Sequence, residues 1–237
     1  MISLLSLENI VSGYGDIEII HSVSLSVGKG EVVSVIGPNG AGKTTLLKTV
    51  LGLVRATSGK INFCNQEITS LSSDRIVKLG FGCSPQGQNL HPEMTVEENL
   101  RAGAYVVKDQ KAVARSLERV YQVFPKLKEM EQRKAGFLSG GERQILSLAR
   151  TLMLEPKLVL LDEPSLGLDP KFLTFVYEKI SEMNDSGVAF LLVEQNVKRA
   201  IKVSDRTYLL KLGRIVLEGE SSAIAQRTEI KEAYLGG

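Results

Sequence analysis

The chain has 237 residues, and its 29 Lys and Arg against 27 Asp and Glu give a net charge of +2. Its hydrophobic share of 43% and charged share of 24% are ordinary for a globular protein and exclude a disordered or fibrous chain. The balanced charge, with neither a basic stripe nor a polybasic run, argues against a nucleic-acid binder and against a direct membrane-surface anchor.

The first part of the chain carries β-strand patterns. Residues 4–10 and 21–27 alternate apolar and polar side chains on either side of a turn at 13–16, which predicts an antiparallel β subdomain at the N-terminus. Residues 31–36 form a run rich in β-branched side chains, typical of a strand that is buried on both faces. A glycine-rich loop follows, and then a helix is predicted over 43–51.

The rest of the chain alternates between the two types of element. Strands are predicted at 60–63, 80–83, 158–161 and 188–193, helices at 96–105, 112–124 and 142–154, and a closing hairpin at 208–211 and 214–217. This alternation predicts an α/β fold with a mainly parallel sheet between helices. We predict a single domain of residues 1–237, with a core from 1–86 and 156–237 and an inserted helical subdomain from 87–155.

The glycine-rich loop matches the phosphate-binding pattern GxxxxGK[ST] in full. Glycines let the backbone wrap closely with its N–H groups inward, and the helix N-terminus that follows favours an anion. Lys43 is predicted to reach the β- and γ-phosphates of ATP, and Thr44 to offer its hydroxyl to Mg²⁺. The predicted cradle is Gly37, Pro38, Asn39, Gly40, Ala41, Gly42, Lys43, Thr44 and Thr45.

Two adjacent carboxylates follow the apolar run 158–161. The carboxyl edge of an open parallel sheet is where ligands bind, so both side chains are expected in the site. Asp162 is predicted to hold Mg²⁺, directly or through water, and Glu163 to orient and activate the attacking water.

A third segment, LSGGERQ at 138–144, opens a helix. Ser139, Gly140 and Gly141 are predicted to expose backbone N–H groups there as a second anion cradle, this one without lysine. With this segment the chain resembles the ABC ATPase family, whose signature is LSGGQ-like, over essentially its whole length. The resemblance implies a head-to-tail dimer in which the signature of one subunit closes over the γ-phosphate held by the loop of the other.

The same resemblance assigns four more positions. Tyr14 matches the aromatic residue that stacks on adenine, and Gln86 matches a glutamine that touches Mg²⁺ or the water and senses the membrane partner. Asp169 belongs to the loop that links the two sites across the dimer. The switch residue, usually His, is Gln195 here; its amide can donate to a γ-phosphate oxygen but cannot titrate, so we expect catalysis without a pH dependence from this residue.

The segments 52–55, 95–105, 193–196 and 232–236 are similar to the ATPases of branched-chain amino acid importers, and most similar to the second, shorter one. Gln86, where that group often has Glu, and Leu-Asp-Pro at 168–170 depart from it. ATPases of urea or amide importers and of the lipopolysaccharide exporter share several of these segments and stay open as alternatives. A non-transport ABC ATPase is a weaker alternative, because no second cassette, long coiled coil or zinc module is present.

Partners and location follow from the resemblance. We expect a second ATPase subunit, identical or different, permease subunits docking at 87–100 near Leu90 and Met94, indirectly a solute-binding protein, and no nucleic acid. The N-terminus lacks the pattern of a signal peptide, and no apolar run approaches the about 20 residues that cross a bilayer. Cys64 and Cys83 are expected to be reduced, buried thiols. The expected location is the cytoplasmic face of the cell membrane, peripheral through the permease.

Overall fold

The computed structural model describes residues 3–87, 89–227 and 230; the segment 232–236, which carries part of the resemblance, lies outside them. The strands of the described chain are β1 Ser3–Tyr14, β2 Ile17–Gly28, β3 Val32–Ile36, β4 Ala56–Phe63, β5 Gln66–Glu67, β6 Phe81–Ser84, β7 Leu158–Asp162, β8 Ala189–Glu194, β9 Arg206–Lys211 and β10 Arg214–Glu220. Its helices are α1 Lys43–Val50, α2 Ser73–Lys78, α3 Val96–Gly103, α4 Gln110–Val123, α5 Pro125–Glu129, α6 Gly140–Thr151, α7 Pro170–Asp185, α8 Val197–Val203 and α9 Ser221–Ile224.

The smaller sheet is antiparallel and has the order β2-β1-β4-β5. Its first two strands confirm the predicted β start, but both are longer than predicted, and the turn between them is at 15–16. The strands β4 and β5 follow α1 in the chain and return to pair beside β1. The N-terminal sheet is therefore completed by residues that lie beyond the glycine-rich loop.

The larger sheet has the order β10-β9-β3-β8-β7-β6 and is parallel except for the pairing of β9 with β10. Every residue of β3, β7 and β8 is buried, as expected for continuous apolar runs. Ile36 pairs with Glu194, and Asp162 pairs with Val193. The residues that follow these strands therefore meet at one edge of the sheet.

Helices occupy the chain between β6 and β7, and three of them confirm the predicted ones. The predicted helix 142–154 begins two residues earlier, because Ser139 caps it, and its last three residues form a 3-10 turn. The five-residue helix α5 begins at Pro125 and was not predicted, because it is too short to show a period.

Two apolar cores lie on opposite faces of the larger sheet. One contains side chains of α3, α4 and α6 together with Ile36 of β3. The other joins α1 and the antiparallel sheet to Val33 and Val35 of β3. The helical stretch therefore shares a core with the sheet, and its separation at 87–155 stays a prediction.

Two further expectations concern the cysteines and the membrane. Cys83 is half-buried and Cys64 is exposed, so the prediction of a buried thiol is wrong for Cys64, which lies in the turn between β4 and β5. Both are free thiols. Among the described helices, none combines the length and the apolar character that a bilayer crossing requires.

Candidate active site

The loop between β3 and α1 depends on glycine at its end. Gly42 is the N-cap of α1 with a φ of 104°, in the left-handed region. A Cβ atom there would lie 2.9 Å from Ile20 Cδ1, so a side chain would displace Ile20 in addition to straining the backbone. At the loop's start, a Cβ on Gly37 would lie 2.3 Å from the carbonyl oxygen of Leu210. The loop is therefore held close against β2 and β9.

Three oxygens surround the ammonium group of Lys43, which is 5% exposed. Nζ donates to the carbonyl oxygens of Gly37 at 3.0 Å and Pro38 at 3.2 Å, and lies 3.3 Å from Glu163 Oε1. The positive charge is thus kept at the inner side of the loop. If Lys43 Nζ contacted a phosphate oxygen instead of Glu163, its two bonds to the carbonyl oxygens could remain in place.

Thr44 and Asp162 form a pair of hard oxygen groups. Thr44 Oγ1 donates to Asp162 Oδ1 at 3.1 Å. Burial raises the pKa of the Asp162 carboxyl, and the bond from Thr44 offsets part of that rise. Such oxygens fit Mg²⁺, which is commonly bound by one or two carboxylates and completes its shell with phosphates and water. Within the described residues no three His, Cys, Asp or Glu converge in a way that could hold a metal ion.

Glu163 has an unusual backbone conformation, with a φ of 48°. Its N–H donates to Val193 O on the neighbouring strand at 3.0 Å. Residues other than glycine adopt this region infrequently, and such conformations cluster at functional sites. The side chain turns back to the loop, where Oε1 faces Lys43 and Oε2 accepts from Gln86 Nε2 at 3.2 Å.

These side chains meet in a cleft of about 550 Å³. The predicted residues that line it are Tyr14, Asn39, Gly40, Gly42, Lys43, Thr44, Thr45, Gln86, Glu163 and Gln195. Tyr14 is 50% exposed, so its ring is accessible for stacking. Ile19 and Leu166 also line the cleft and were not predicted. Ile19 could have been suspected from the sequence, because it is an apolar residue only five positions after Tyr14.

The other predicted residues divide into two groups. The first group lies beside the cleft. Gly37 and Pro38 accept hydrogen bonds from Lys43, Asp162 accepts one from Thr44, and Ala41 belongs to the same loop. Asp169 lies outside it and caps α7, where Oδ1 accepts from the N–H of Lys171 at 2.9 Å and of Phe172 at 3.2 Å.

The segment 139–141 also lies outside the cleft. Ser139 Oγ accepts from Glu142 N–H at 3.3 Å, and the N–H of Ser139 donates to Glu142 Oε2 at 2.7 Å. The N–H of Ser139, which the sequence predicted to be exposed, is therefore bonded within this capping box. Gly141 is buried, and a Cβ there would lie 2.4 Å from the ring of Phe172.

Sequence reasoning missed Glu194, a buried carboxylate at the end of β8. The signal was present, because an acidic residue follows a buried apolar run there, as Asp162 does in β7. A shallow cleft of about 360 Å³ brings Glu194 together with Glu163, Ser165 and Gln195.

A separate groove of about 520 Å³ lies between β6 and the helices α3 and α6. Leu90, His91, Tyr105, Cys83 and Arg150 are among its lining residues. Leu90 therefore lies in a groove as the docking prediction requires. Met94, which is 40% exposed, is not part of the lining.

Comparisons with known proteins agree with this geometry. Residues 20–166 match the ABC transporter family. The chain is 43% identical over 235 residues to the high-affinity branched-chain amino acid transport ATP-binding protein BraG of Pseudomonas aeruginosa, covering 99% of this chain and 100% of that protein. It is 33% identical over 236 residues to the lipopolysaccharide export system ATP-binding protein LptB of Haemophilus influenzae, covering 99% and 98%.

Solved structures share the fold along the chain. The ADP conformation of an ATP-binding cassette from an ABC transporter has a TM-score of 0.86 and 30% identity, with 100% of both chains covered. A dimeric post-hydrolysis cassette bound to ADP and phosphate has a TM-score of 0.81 and 25% identity, covering 92% of this chain and 98% of the other.

Proposed function

The chain belongs to the ABC transporter family and is an ATPase of that family, and from this premise we propose that it powers the import of branched-chain amino acids. The observation that carries the proposal is the 43% identity to the Pseudomonas aeruginosa protein along the full length of both chains. The second candidate, ATP hydrolysis for lipopolysaccharide export, is favoured by 33% identity to the Haemophilus influenzae protein over a similar length.

The cleft supports a specific placement of ATP. Adenine stacks on Tyr14, and the phosphates lie in the loop 37–45 with the β- and γ-phosphates near Lys43. Thr44, Asp162 and the amide oxygen of Gln86 would hold Mg²⁺, which would supply positive charge to offset the negative charge of the phosphates. Lys43 exchanges its contact with Glu163 for a phosphate oxygen, which leaves the carboxylate of Glu163 to accept a proton from the attacking water.

The site of one chain is proposed to be completed by a second subunit. Residues 139–141 and 169 lie outside the cleft, so within one chain they do not reach the same phosphates. A related cassette forms a dimer with ADP and phosphate bound. We assign the segment 139–141 of the second subunit to the γ-phosphate, where the capping box of Ser139 and Glu142 fixes the helix end. That subunit is an identical chain or a second ATPase.

The partners and location follow from the same proposal. Permease subunits bind the groove at Leu90 and hold the protein at the cytoplasmic face of the membrane. A solute-binding protein delivers the amino acid to those permease subunits, so the ATPase does not contact the cargo.

Glu163→Gln tests the active site. The amide keeps the shape of the side chain but cannot accept a proton, so we expect the turnover of ATP to fall by about 100-fold or more while ATP binding is retained. ATP should then trap a dimer, measured by size-exclusion chromatography with light scattering. Glu182→Gln on α7, which pairs with Lys179 away from the cleft, is the matched control. Normal hydrolysis by Glu163→Gln would contradict the role of Glu163.

Uptake in cells tests the substrate. A strain without this protein should lose uptake of labelled leucine and isoleucine, and the wild-type gene should restore it while Glu163→Gln should not. Unchanged leucine uptake together with loss of surface lipopolysaccharide would support the export alternative instead, and loss of urea uptake alone would point to a urea importer.

A further inference from the structure

Glu194 accepts five hydrogen bonds although it is 1% exposed. Oε1 accepts from Tyr177 Oη at 2.9 Å and from the N–H of Ser165 at 3.1 Å. Oε2 accepts from Ser165 Oγ at 2.9 Å, and from the N–H groups of Gln195 at 3.1 Å and Asn196 at 3.3 Å. All five partners are hydroxyl or amide donors, and they come from three separate parts of the chain.

This carboxylate is costly to bury. Burial raises the pKa of Glu194, and the donors from Tyr177, Ser165 and Asn196 offset only part of the rise. A buried acid without a paired cation has a desolvation cost that an apolar side chain of similar size would avoid. Packing alone therefore does not account for a carboxylate at this position.

Four of the five donor groups lie on two segments beside Glu163, and the fifth is the hydroxyl of Tyr177 on α7. Ser165 lies in the loop that connects β7 to α7, two residues after Glu163, and Gln195 lines the nucleotide cleft. Tyr177 lies in the middle of α7 and is buried in the core. The carboxylate thus joins the loop after Glu163, the residue in the switch position and a fixed point of the core.

We propose that Glu194 is a positioning residue for ATP hydrolysis, whose carboxylate fixes the spacing between the loop at Ser165 and the backbone of Gln195. This rests on the proposed roles of Glu163 and Gln195 in the cleft. Gln195 is exposed, so its backbone anchor limits where its amide reaches. A displacement of about 1 Å in a catalytic group can cost about 100-fold in rate.

Glu194→Gln replaces one acceptor oxygen of the carboxylate by an NH₂ group and leaves the volume of the side chain nearly unchanged. If the amide nitrogen replaces Oε1, the N–H of Ser165 loses its acceptor; if it replaces Oε2, the N–H groups of Gln195 and Asn196 lose theirs. The hydroxyls can rotate, but these backbone groups cannot. Either orientation therefore displaces one of the two segments.

We expect kcat of Glu194→Gln to fall about 10- to 100-fold, with KM for ATP within about twofold of the wild type. Thr207→Val is the matched control, because it removes a fully buried hydroxyl that contacts Ser34 and Ser221 away from the cleft. It should lower the thermal midpoint but leave kcat unchanged. An unchanged kcat in Glu194→Gln, or an equal loss in Thr207→Val, would overturn the proposal.

Tyr177→Phe covers the case in which Glu194→Gln does not fold. It removes one donor and keeps the ring, so we expect kcat to fall about fivefold with KM unchanged, the scale of one hydrogen bond. Wild-type kcat in Tyr177→Phe would then overturn the proposal.

A double-mutant cycle separates this proposal from the role of Gln195. If Glu194 acts through Gln195, Glu194→Gln should cost little further in a Gln195→Ala background. A loss of kcat in Gln195→Ala with full additivity would reject the coupling but keep the role of Gln195. Unchanged kcat in Gln195→Ala would contradict the role of Gln195, and with it the coupling.

Discussion

Asp162 and Glu163 are neighbours in the chain but lie in different environments. Asp162 ends a buried strand, is 7% exposed and accepts from Thr44. Glu163 begins the next loop with a positive φ and faces Lys43 and Gln86. The first environment suits a carboxylate that a cation stabilises, and the second suits one that exchanges partners during a reaction.

Asp162→Asn tests the electrostatic cost of the buried carboxylate. Burial raises the pKa of Asp162 above its ordinary value of 3.8, so folding favours the protonated form. The stability from this group is fully present below 3.8 and is lost as the pH rises through the raised value. The uncharged amide avoids this loss, so we expect Asp162→Asn to exceed the wild type in unfolding free energy by about 1 kcal/mol at about pH 7.

The measurement is denaturant unfolding in EDTA without nucleotide, at several pH values. The advantage of Asp162→Asn should shrink as the pH falls toward 3.8. Asp185→Asn, an exposed position at the end of α7, is the control for removing a negative charge. If the wild type had a higher unfolding free energy than Asp162→Asn at every pH, the charged carboxylate of Asp162 would not destabilise the fold.

At the residue scale, the sequence predicts the site residues whose position follows from the strand that directly precedes them in the chain. The loop 37–45 and the carboxylates after β7 meet in the structure because each directly follows a parallel strand. Three of the five bonds to Glu194 come from residues 17 and 29 positions away, and such contacts are not encoded in local spacing. The left-handed backbone of Glu163 is equally invisible to sequence patterns.

Two helices are joined at their first turns. Ser139 caps α6 and Asp169 caps α7, and the ring of Phe172 in α7 lies against Gly141 in α6. The contact with Phe172 therefore requires a glycine at position 141, independently of any role in nucleotide binding. The loop after Glu163 and the segment 139–141 are mechanically connected through this contact.

Gly141→Ala and Gly140→Ala form a matched pair of variants. A Cβ at Gly141 would lie 2.4 Å from the Phe172 ring, whereas one at Gly140 would meet nothing within 4 Å. We expect Gly141→Ala to lose about 1–3 kcal/mol of unfolding free energy through overpacking. Gly140→Ala should be neutral or gain up to about 1 kcal/mol, because alanine favours helix.

Chemical denaturation measures both variants, and Phe172→Leu in the Gly141→Ala background should recover part of the loss by giving the methyl group room. Equal stability of the two alanine variants would contradict the contact between the helices.

At the element scale, the sequence predicts most of the long periodic segments, but it missed the 16-residue helix α7. The strands β3, β7 and β8 and the helices α4 and α6 carry patterns that last several residues. The short elements β5, α2 and α5 carry two to six residues each and were missed. The pairing of β4 with β1 depends on residues about 50 positions apart, so only the fold reveals it.

In the whole molecule, the nucleotide cleft and the groove proposed for permease docking both lie next to strand β6. Gln86 follows β6 and lines the cleft, while Leu90 lies four residues further and lines the groove. A displacement of the permease helix at Leu90 would therefore reach Gln86 through a short stretch of chain.

Leu90→Asp tests the docking groove. A carboxylate in a groove that also contains Tyr105 and Cys83 should oppose an apolar partner helix, and we expect permease binding to weaken at least about tenfold. Val216→Asp, at a 53% exposed apolar position on β10, is the control. Co-purification from membranes gives the readout, and the thermal midpoints of both variants show whether the fold is kept. Undiminished binding by Leu90→Asp would reject this groove.

In the proposed dimer, one chain contributes its lysine loop to one nucleotide and its serine–glycine helix end to the other. In a homomeric dimer, a chain damaged at both segments therefore disables both nucleotides even when its companion is intact. If instead one allele is damaged only at Lys43 and the other only at the helix end, each mixed dimer keeps one undamaged pair of segments. Two genes that are each inactive alone would thus complement one another in the same cell.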